Sequence, residues 1–237
     1  MHFKDRFQAG RFLAAKLNPY QARKDVVILA LPRGGVEVGY EVAVALQAPL
    51  DVLVVRKVGL PGFPEMAVGA LASGNIENIS RETVERFQVS LSELQRVIVE
   101  ERKELRRQEQ FFRDDRPFPS IDNKVVILVD DGLATGHTMK AAIDSLRNHA
   151  PKEIVVAIPV GASDTYRLMT EGVNQVVCLL TPTDFVAVGG YYENFRQVDD
   201  DEVLMLLQKA SENLPEHAQD SSHFAHETEK STCDLPE

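Results

Sequence analysis

A short apolar run rich in β-branched residues recurs along this 237-residue chain, and no other feature restricts its fold as much. Val26 to Leu31 (VVILAL) is the first such run, and Asp51 to Val55, Lys124 to Val129, Glu153 to Pro159 and Gln175 to Leu180 repeat the pattern. Continuous apolar character without polar alternation predicts strands buried on both faces, as in a parallel sheet with helices above and below. Helical segments at Val36 to Gln47, Thr138 to His149 and Ser163 to Glu171 fall between the runs. Alternating strands and helices imply right-handed crossovers, so the expected fold is α/β, a three-layer sandwich with a central parallel sheet. An amphipathic helix is also expected over the first 17 or so residues, where Phe3, Phe7, Gly10, Ala14 and Leu17 keep helical spacing up to the break at Pro19.

Two segments depart from the alternation. Ser90 to Phe112 reads as one long helix with Leu91, Leu94, Val97, Ile98, Leu105 and the Phe111–Phe112 pair on its apolar side. Its basic run of Arg102, Lys103, Arg106 and Arg107 lies among Glu100, Glu101 and Glu104, which favours a solvated face with intrahelical ion pairs over a binding patch. The other segment is the tail. Of the formal net charge of −10, a share of −6 falls on Ala210 to Glu237, which hold seven acids against one base. His217, His223 and His226 match no ligand spacing there, and the composition predicts an acidic, disordered tail (210–237) behind a domain of residues 1–209. Acidity of this kind argues against nucleic acid as a partner. The two cysteines, Cys178 and Cys233, make neither a disulfide framework nor a ligand cluster. With no signal-like apolar run at the N-terminus and no membrane-length apolar stretch, the sequence reads as cytoplasmic with no membrane partner.

Ligands of α/β sheets bind off the carboxyl ends of the strands, so the segments that follow each strand matter most for function. Val125 to Thr138 (VVILVDDGLATGHT) runs from a buried strand through two carboxylates into a small-residue turn that opens a helix. Thr135, Gly136, His137 and Thr138 would set several backbone N–H groups and two hydroxyls at a helix N-terminus, where unpaired donors and partial positive charge favour a phosphate monoester. Asp130 and Asp131 would repel phosphate but suit sugar hydroxyls or a magnesium-bound diol. A phosphate cradle beside a hydroxyl reader describes a ribose 5-phosphate pocket. The chain lacks the Gly-Lys-Ser/Thr of a Walker A loop, and Gly34-Gly35-Val36-Glu37-Val38-Gly39 does not supply a dinucleotide fingerprint.

Val125 to Thr138 resembles the phosphoribosyl pyrophosphate signature of type I phosphoribosyltransferases. Leu31-Pro32-Arg33-Gly34-Gly35 is similar to that family's diphosphate loop, where Arg offers a planar donor fork and glycines let the backbone approach the ligand. Arg56-Lys57 with Leu60-Pro61-Gly62, followed by Phe63-Pro64-Glu65-Met66, resembles the start of the flexible catalytic loop of adenine phosphoribosyltransferases. That resemblance implies a lid over about residues 57–75; read without it, the segment is a plain surface hairpin. Ala134 stands where enzymes of 6-oxopurines usually carry an acid and adenine enzymes carry Ala. Some 30 extra residues between lid and signature, a helical insertion at about 81–117, set the chain apart as a branch of its own.

The resemblance implies a phosphoribosyl pyrophosphate site of Arg33, Gly34, Gly35, Arg56, Lys57, Asp130, Asp131, Ala134, Thr135, Gly136, His137 and Thr138. It implies transfer of ribose 5-phosphate to a small nitrogenous acceptor, with Mg²⁺ and Arg33 taking the diphosphate and no direct protein ligand for the metal beyond Asp131. Glu65 is the candidate proton donor or acceptor for the ring, against a surface salt-bridge role. A hood at about 180–196 would receive the base through Phe185 and Val186, among the aromatics Phe185, Tyr191, Tyr192 and Phe195. Relatives are commonly homodimers. The alternative is a non-catalytic nucleotide sensor on the same fold, with the basic helix as its partner surface.

Overall fold

The structure is a computed structural model and is described for residues 2–113, 116–147 and 149–214, leaving aside the side chains of Pro64 and Glu65. The expected tail beyond residue 214, with its three histidines and Cys233, lies outside the described residues.

Each long apolar run forms a strand of one five-stranded parallel sheet: β1 (Val26–Ala30), β2 (Leu50–Val52), β6 (Val125–Val129), β7 (Glu153–Val160) and β8 (Gln175–Leu180), in the order β2-β1-β6-β7-β8. Val26 sits opposite Val125 and Ala30 opposite Val129, so the two most apolar strands pair along their whole length. Every residue of both is buried, because helices cover both faces. Alternate side chains of the strands go to opposite layers. Val26, Ile28, Val125 and Ile127 pack under α1 (Arg6–Lys16) and α2 (Gly34–Leu46). Val27, Leu29, Val126 and Leu128 pack under α5 (His137–Arg147) and α6 (Ser163–Thr170) through Met139, Ile143, Leu146 and Met169. Burying one such aliphatic side chain stabilises the fold by roughly 1.5–3 kcal/mol, which makes this sheet the rigid base for whatever its loops carry.

The run at Asp51 to Val55 is divided between two sheets. Leu53 N still donates to Ala30 O of β1 (3.0 Å), whereas Val54 O already accepts from Ser73 N (3.0 Å) of a second sheet. That sheet is antiparallel, in the order β3 (Val55–Leu60), β4 (Phe63–Ala72), β5 (Ile76–Ile79), and its first hairpin turns at Pro61-Gly62 with Gly62 at φ +82°. Residues 57–75 are therefore a folded hairpin and its following turn. The insertion comprises a short helix α3 (Arg81–Arg86) and the long α4 (Leu91–Arg113), whose Leu94, Ile98, Leu105 and Phe112 form a buried stripe facing the small sheet. Leu91, expected on the apolar side, is 74% exposed at the first residue of the helix.

Arg113 anchors the far end of α4. Its side chain is buried, with Nε 2.9 Å from Asp51 Oδ1 and Nη1 3.1 Å from Glu109 Oε1, and it also donates to Val52 O. A last helix, α7 (Asp200–Glu212), extends past the boundary expected at residue 209. Asp199 and Glu202 close a capping box on it, and Val203, Leu206 and Leu207 bury its inner face beside α4.

Candidate functional site

The sheet order reverses at β1 and β6: the chain goes from β1 outward to β2, then returns to β6 on the other side. The carboxyl ends of these two strands form the crevice in which open α/β sheets bind ligands. Leu31 to Gly35 leaves β1 there and Asp130 to Thr138 leaves β6, so the two motifs read from sequence meet although about a hundred residues separate them.

Their contact is close. A Cβ at Gly34 would fall 2.0 Å from Asp131 Oδ2, so only glycine lets this turn lie against the carboxylate. The Pro32–Arg33 peptide is cis. Asp130 Oδ1 accepts a hydrogen bond from Asp131 N at 2.8 Å. Burial pushes the Asp130 carboxyl well above the usual range, and the neighbouring Asp131 charge adds to this. Burial also raises Asp131, opposed by the charge of Arg6.

The turn into α5 is held from behind. Leu133 N donates to Val160 O (2.8 Å) and Thr165 Oγ1 to Ala134 O (2.7 Å), while Gly136 turns the chain at φ +75°, where a Cβ would strike Thr165. Ala134, Thr135, His137 and Thr138 are exposed, with Thr135 Oγ1 3.0 Å from His137 Nδ1. Open hydroxyls and first-turn amides at a helix start form an anion-binding arrangement.

A cleft of about 560 Å³ opens over the crevice. Arg33, Gly34, Arg56 and Thr138 line it, together with Gln108 and Phe112 of α4, residues 195–198, Arg6 and Asp200. The inserted helix and α7 are thus walls of the site. Arg33 Nε lies 2.7 Å from Asp200 Oδ1, and Arg56 Nη2 lies 2.7 Å from Glu101 Oε2 on α4. Lys57 is exposed on β3, and Glu65 lies on β4, its side chain outside the described residues. Phe185 is stacked on Tyr191 (centroids 5.6 Å, planes 14° apart) and Val186 is 94% exposed; neither lines the cleft, whereas Phe195 of the same hood does.

Several residues at this site escaped the sequence reading. Arg6 of α1 is buried, with Nε 2.7 Å from Asp131 Oδ2 and Nη1 2.8 Å from Arg196 O. Glu37 of α2 is buried between Arg6 and Arg196, its carboxyl raised by burial against the pull of both guanidinium groups. Tyr192 donates its hydroxyl to Asp131 O (2.6 Å), and burial pushes its phenol far above the ordinary value. A signal existed for Arg6, which stands three, four and seven residues before the buried Ala9, Gly10 and Leu13. One existed for Glu37 too, a lone acid in the apolar first turn of α2.

Comparison with known proteins places this arrangement. The chain is 42% identical over 214 residues to two Mycobacterium tuberculosis proteins, from strains CDC 1551 and H37Rv, the latter named "Putative phosphoribosyl transferase Rv0571c". The alignment takes in 90% of this chain and 48% of those proteins, so the chain spans about half the length of the curated relatives it matches. Among solved structures it is similar to TT1426 from Thermus thermophilus, with 39% identity, a TM-score of 0.79, and coverage of 88% of this chain and 99% of that one. The family model described as "Phosphoribosyl transferase domain" matches residues 2–196, a stretch that includes both loops, the inserted helix and the hood, and the chain accordingly belongs to that family.

Proposed function

We propose that the chain is a phosphoribosyltransferase that moves ribose 5-phosphate between phosphoribosyl pyrophosphate and a ring nitrogen of a small acceptor, with diphosphate as the leaving group. The observation that carries this reading is the contact of the Arg33-Gly34 turn with the Asp131 carboxylate at the β1/β6 crevice. A monophosphate pocket needs only the turn at Thr135 to Thr138; a diphosphate loop set against a hydroxyl-reading acid suits a substrate that carries both.

In this scheme the amides and hydroxyls at Thr135, Gly136, His137 and Thr138 hold the 5-phosphate. Asp130 and Asp131 accept from the ribose hydroxyls, and Arg33 with the Gly34-Gly35 amides takes the diphosphate. Bond breaking at the anomeric carbon builds positive charge on the ribose and negative charge on the departing diphosphate. Catalysis therefore depends on neutralising the leaving group and keeping both reactants in line. Arg56 lines the cleft from the β3–β4 hairpin, the proposed lid; Lys57 beside it on β3 is proposed to add charge when the lid closes, and Glu65 on that hairpin is the proposed proton-handling group for the ring.

Mg²⁺ fits the donor set. Among the described residues no group of three ligating side chains could cage an ion, but Asp130 and Asp131 offer carboxylate oxygens beside the diphosphate loop, as suits an ion shared with a phosphorylated substrate. Asp131, with Asp130 beside it, would hold that ion; when bound it supplies positive charge that offsets the diphosphate.

The sensor alternative has less support, because a monophosphate sensor would not need the diphosphate loop, and two residues of the basic run are engaged in ion pairs, Arg102 with Glu77 and Arg107 with Glu104. Calorimetric titration of phosphoribosyl pyrophosphate with Mg²⁺ tests the proposal, with Arg33→Ala and Asp130→Ala/Asp131→Ala alongside. Micromolar binding by the wild type and its loss in both variants is the expected result, followed by an acceptor screen read through diphosphate release. Absence of binding by folded wild type refutes it.

A further inference from the structure

We infer that Arg6 is a positioning residue that fixes the ribose-reading carboxylate of Asp131 relative to the acceptor-facing hood; the inference rests on the transferase reading above. Arg6 belongs to neither motif loop. It projects from α1 with a side chain only 6% exposed, and Nε, Nη1 and one face of its guanidinium are engaged. Nε donates to Asp131 Oδ2 at 2.7 Å, and Nη1 reaches Arg196 O at 2.8 Å and Glu37 Oε2 at 3.5 Å. The flat face lies 3.9 Å from the centre of the Phe195 ring. A planar, always charged fork held this way has one orientation, which a lysine in its place would not reproduce.

The consequence for Asp131 is directional. Oδ2 is taken by Arg6, which fixes the carboxylate, and the side chain keeps 16% exposure for an incoming hydroxyl at Oδ1. The consequence for the hood is equally specific. Phe195 lines the cleft, and it is coupled to Asp131 through Arg6 and through its ring contact with Tyr192, whose hydroxyl donates to Asp131 O. The start of the chain strengthens the same link, because Phe3 N donates to Tyr191 O and Glu193 N to Phe3 O, each at 2.8 Å. A sugar read by Asp131 and a ring lying against Phe195 would thus be set at a fixed separation by one side chain, which is how binding energy becomes alignment of reactants.

A buried arginine can also serve the fold alone, and inorganic diphosphate separates the two roles because it needs Arg33 and its loop but has no ribose to read. The full chain is titrated with phosphoribosyl pyrophosphate and, separately, with inorganic diphosphate, both with Mg²⁺, as wild type, Arg6→Lys and Phe195→Leu. Each variant's melting curve is recorded. Arg6→Lys is expected to weaken phosphoribosyl pyrophosphate binding about tenfold, as losses of outer-shell orienting partners do, with diphosphate binding within about twofold of wild type. Phe195→Leu, at a position 39% exposed, keeps the measurement available if Arg6→Lys does not fold; it should weaken phosphoribosyl pyrophosphate about threefold, the share of the lost cation–π contact. Unchanged phosphoribosyl pyrophosphate affinity in the folded variants overturns the inference, and so does equal weakening of both ligands, which would make Arg6 a strut for the whole cleft. A wild type that binds neither ligand overturns the transferase reading itself and this inference with it.

Discussion

Gly34→Ala is the most informative single substitution, because the structure sets its effect on fold and site together. The added Cβ would lie 2.0 Å from Asp131 Oδ2, 2.8 Å from Asp131 Cγ and 2.9 Å from Arg6 Nε. The carboxylate would have to retreat by about 1.4 Å to reach ordinary packing distance, which would break its 2.7 Å bond to Arg6. Overpacking of a filled site costs about 1–3 kcal/mol. Disrupting a buried ion pair costs about 3–5 kcal/mol, a value to be taken low here because Asp131 keeps 16% of its side-chain exposure. A total near 4 kcal/mol corresponds to a melting point lowered by roughly 8–16 °C in a chain of this length. Differential scanning calorimetry checks the shift, and titration with phosphoribosyl pyrophosphate should show binding abolished. Gly190→Ala is the control: a Cβ there meets nothing within 4 Å, and stability should stay within about 0.5 kcal/mol of wild type. A Gly34→Ala protein that melts within about 2 °C of wild type and still binds would refute the close approach and the argument built on it.

Three other expectations follow from groups outside the cleft. Arg113→Met removes the guanidinium bonded to Asp51, leaving only the charge of Arg116 nearby, and should lower stability by about 3 kcal/mol, seen as an earlier urea midpoint with an unchanged slope. Tyr20 donates to Glu153 Oε1 (2.9 Å), and burial together with that carboxylate pushes its phenol up to about 12. The folded state therefore holds this proton when the unfolded state has released it: the stabilisation is complete below about pH 10 and is lost as pH rises towards 12, a slope that Tyr20→Phe should remove from melting points measured across that window. Burial pushes the Cys178 thiol up to about 11, so in a Cys233→Ser background the native protein should alkylate far more slowly at pH 8 than the same protein in urea; equal rates would contradict the burial.

The parallel sheet was legible because its strands are buried on both faces, and a strand such as VVILV has almost no other use in a water-soluble fold. The two loops at the crevice were legible because each sets small residues, with a guanidinium or two acids, directly after a buried strand, in an order that resembles the family's motifs. Other parts were written less plainly. The resemblance implied a lid at residues 57–75, but the burial of Val58, Leu60 and Val68 against the helical insertion is a tertiary contact that no local pattern reports. Helix α7 was not read from the sequence, although its N-cap Asp199 and the Asp200, Asp201 and Glu202 that follow satisfy the capping and charge preferences of a helix start. Phe185 attracted notice as an aromatic after the last strand, but the ring that reaches the cleft is Phe195, and only the positions of Gly189, Arg6 and Tyr192 around it decide that. Arg6 went unread because a charged residue on a short helix is assigned to solvent by default.

The pairing of β1 with β6 bears on how the chain reaches its native state. Val26 and Val125 are neighbours in the sheet but about a hundred residues apart in sequence, so this ladder closes a long loop and gains nothing until it is closed. Before that moment the Arg33-Gly34 turn has no Asp131 against it, and Arg6 has no carboxylate to grip. The proposed ligand competence therefore arrives with the step that joins the central strands, because during synthesis an emerging portion that stops short of residue 131 lacks the carboxylate that Gly34 and Arg6 meet.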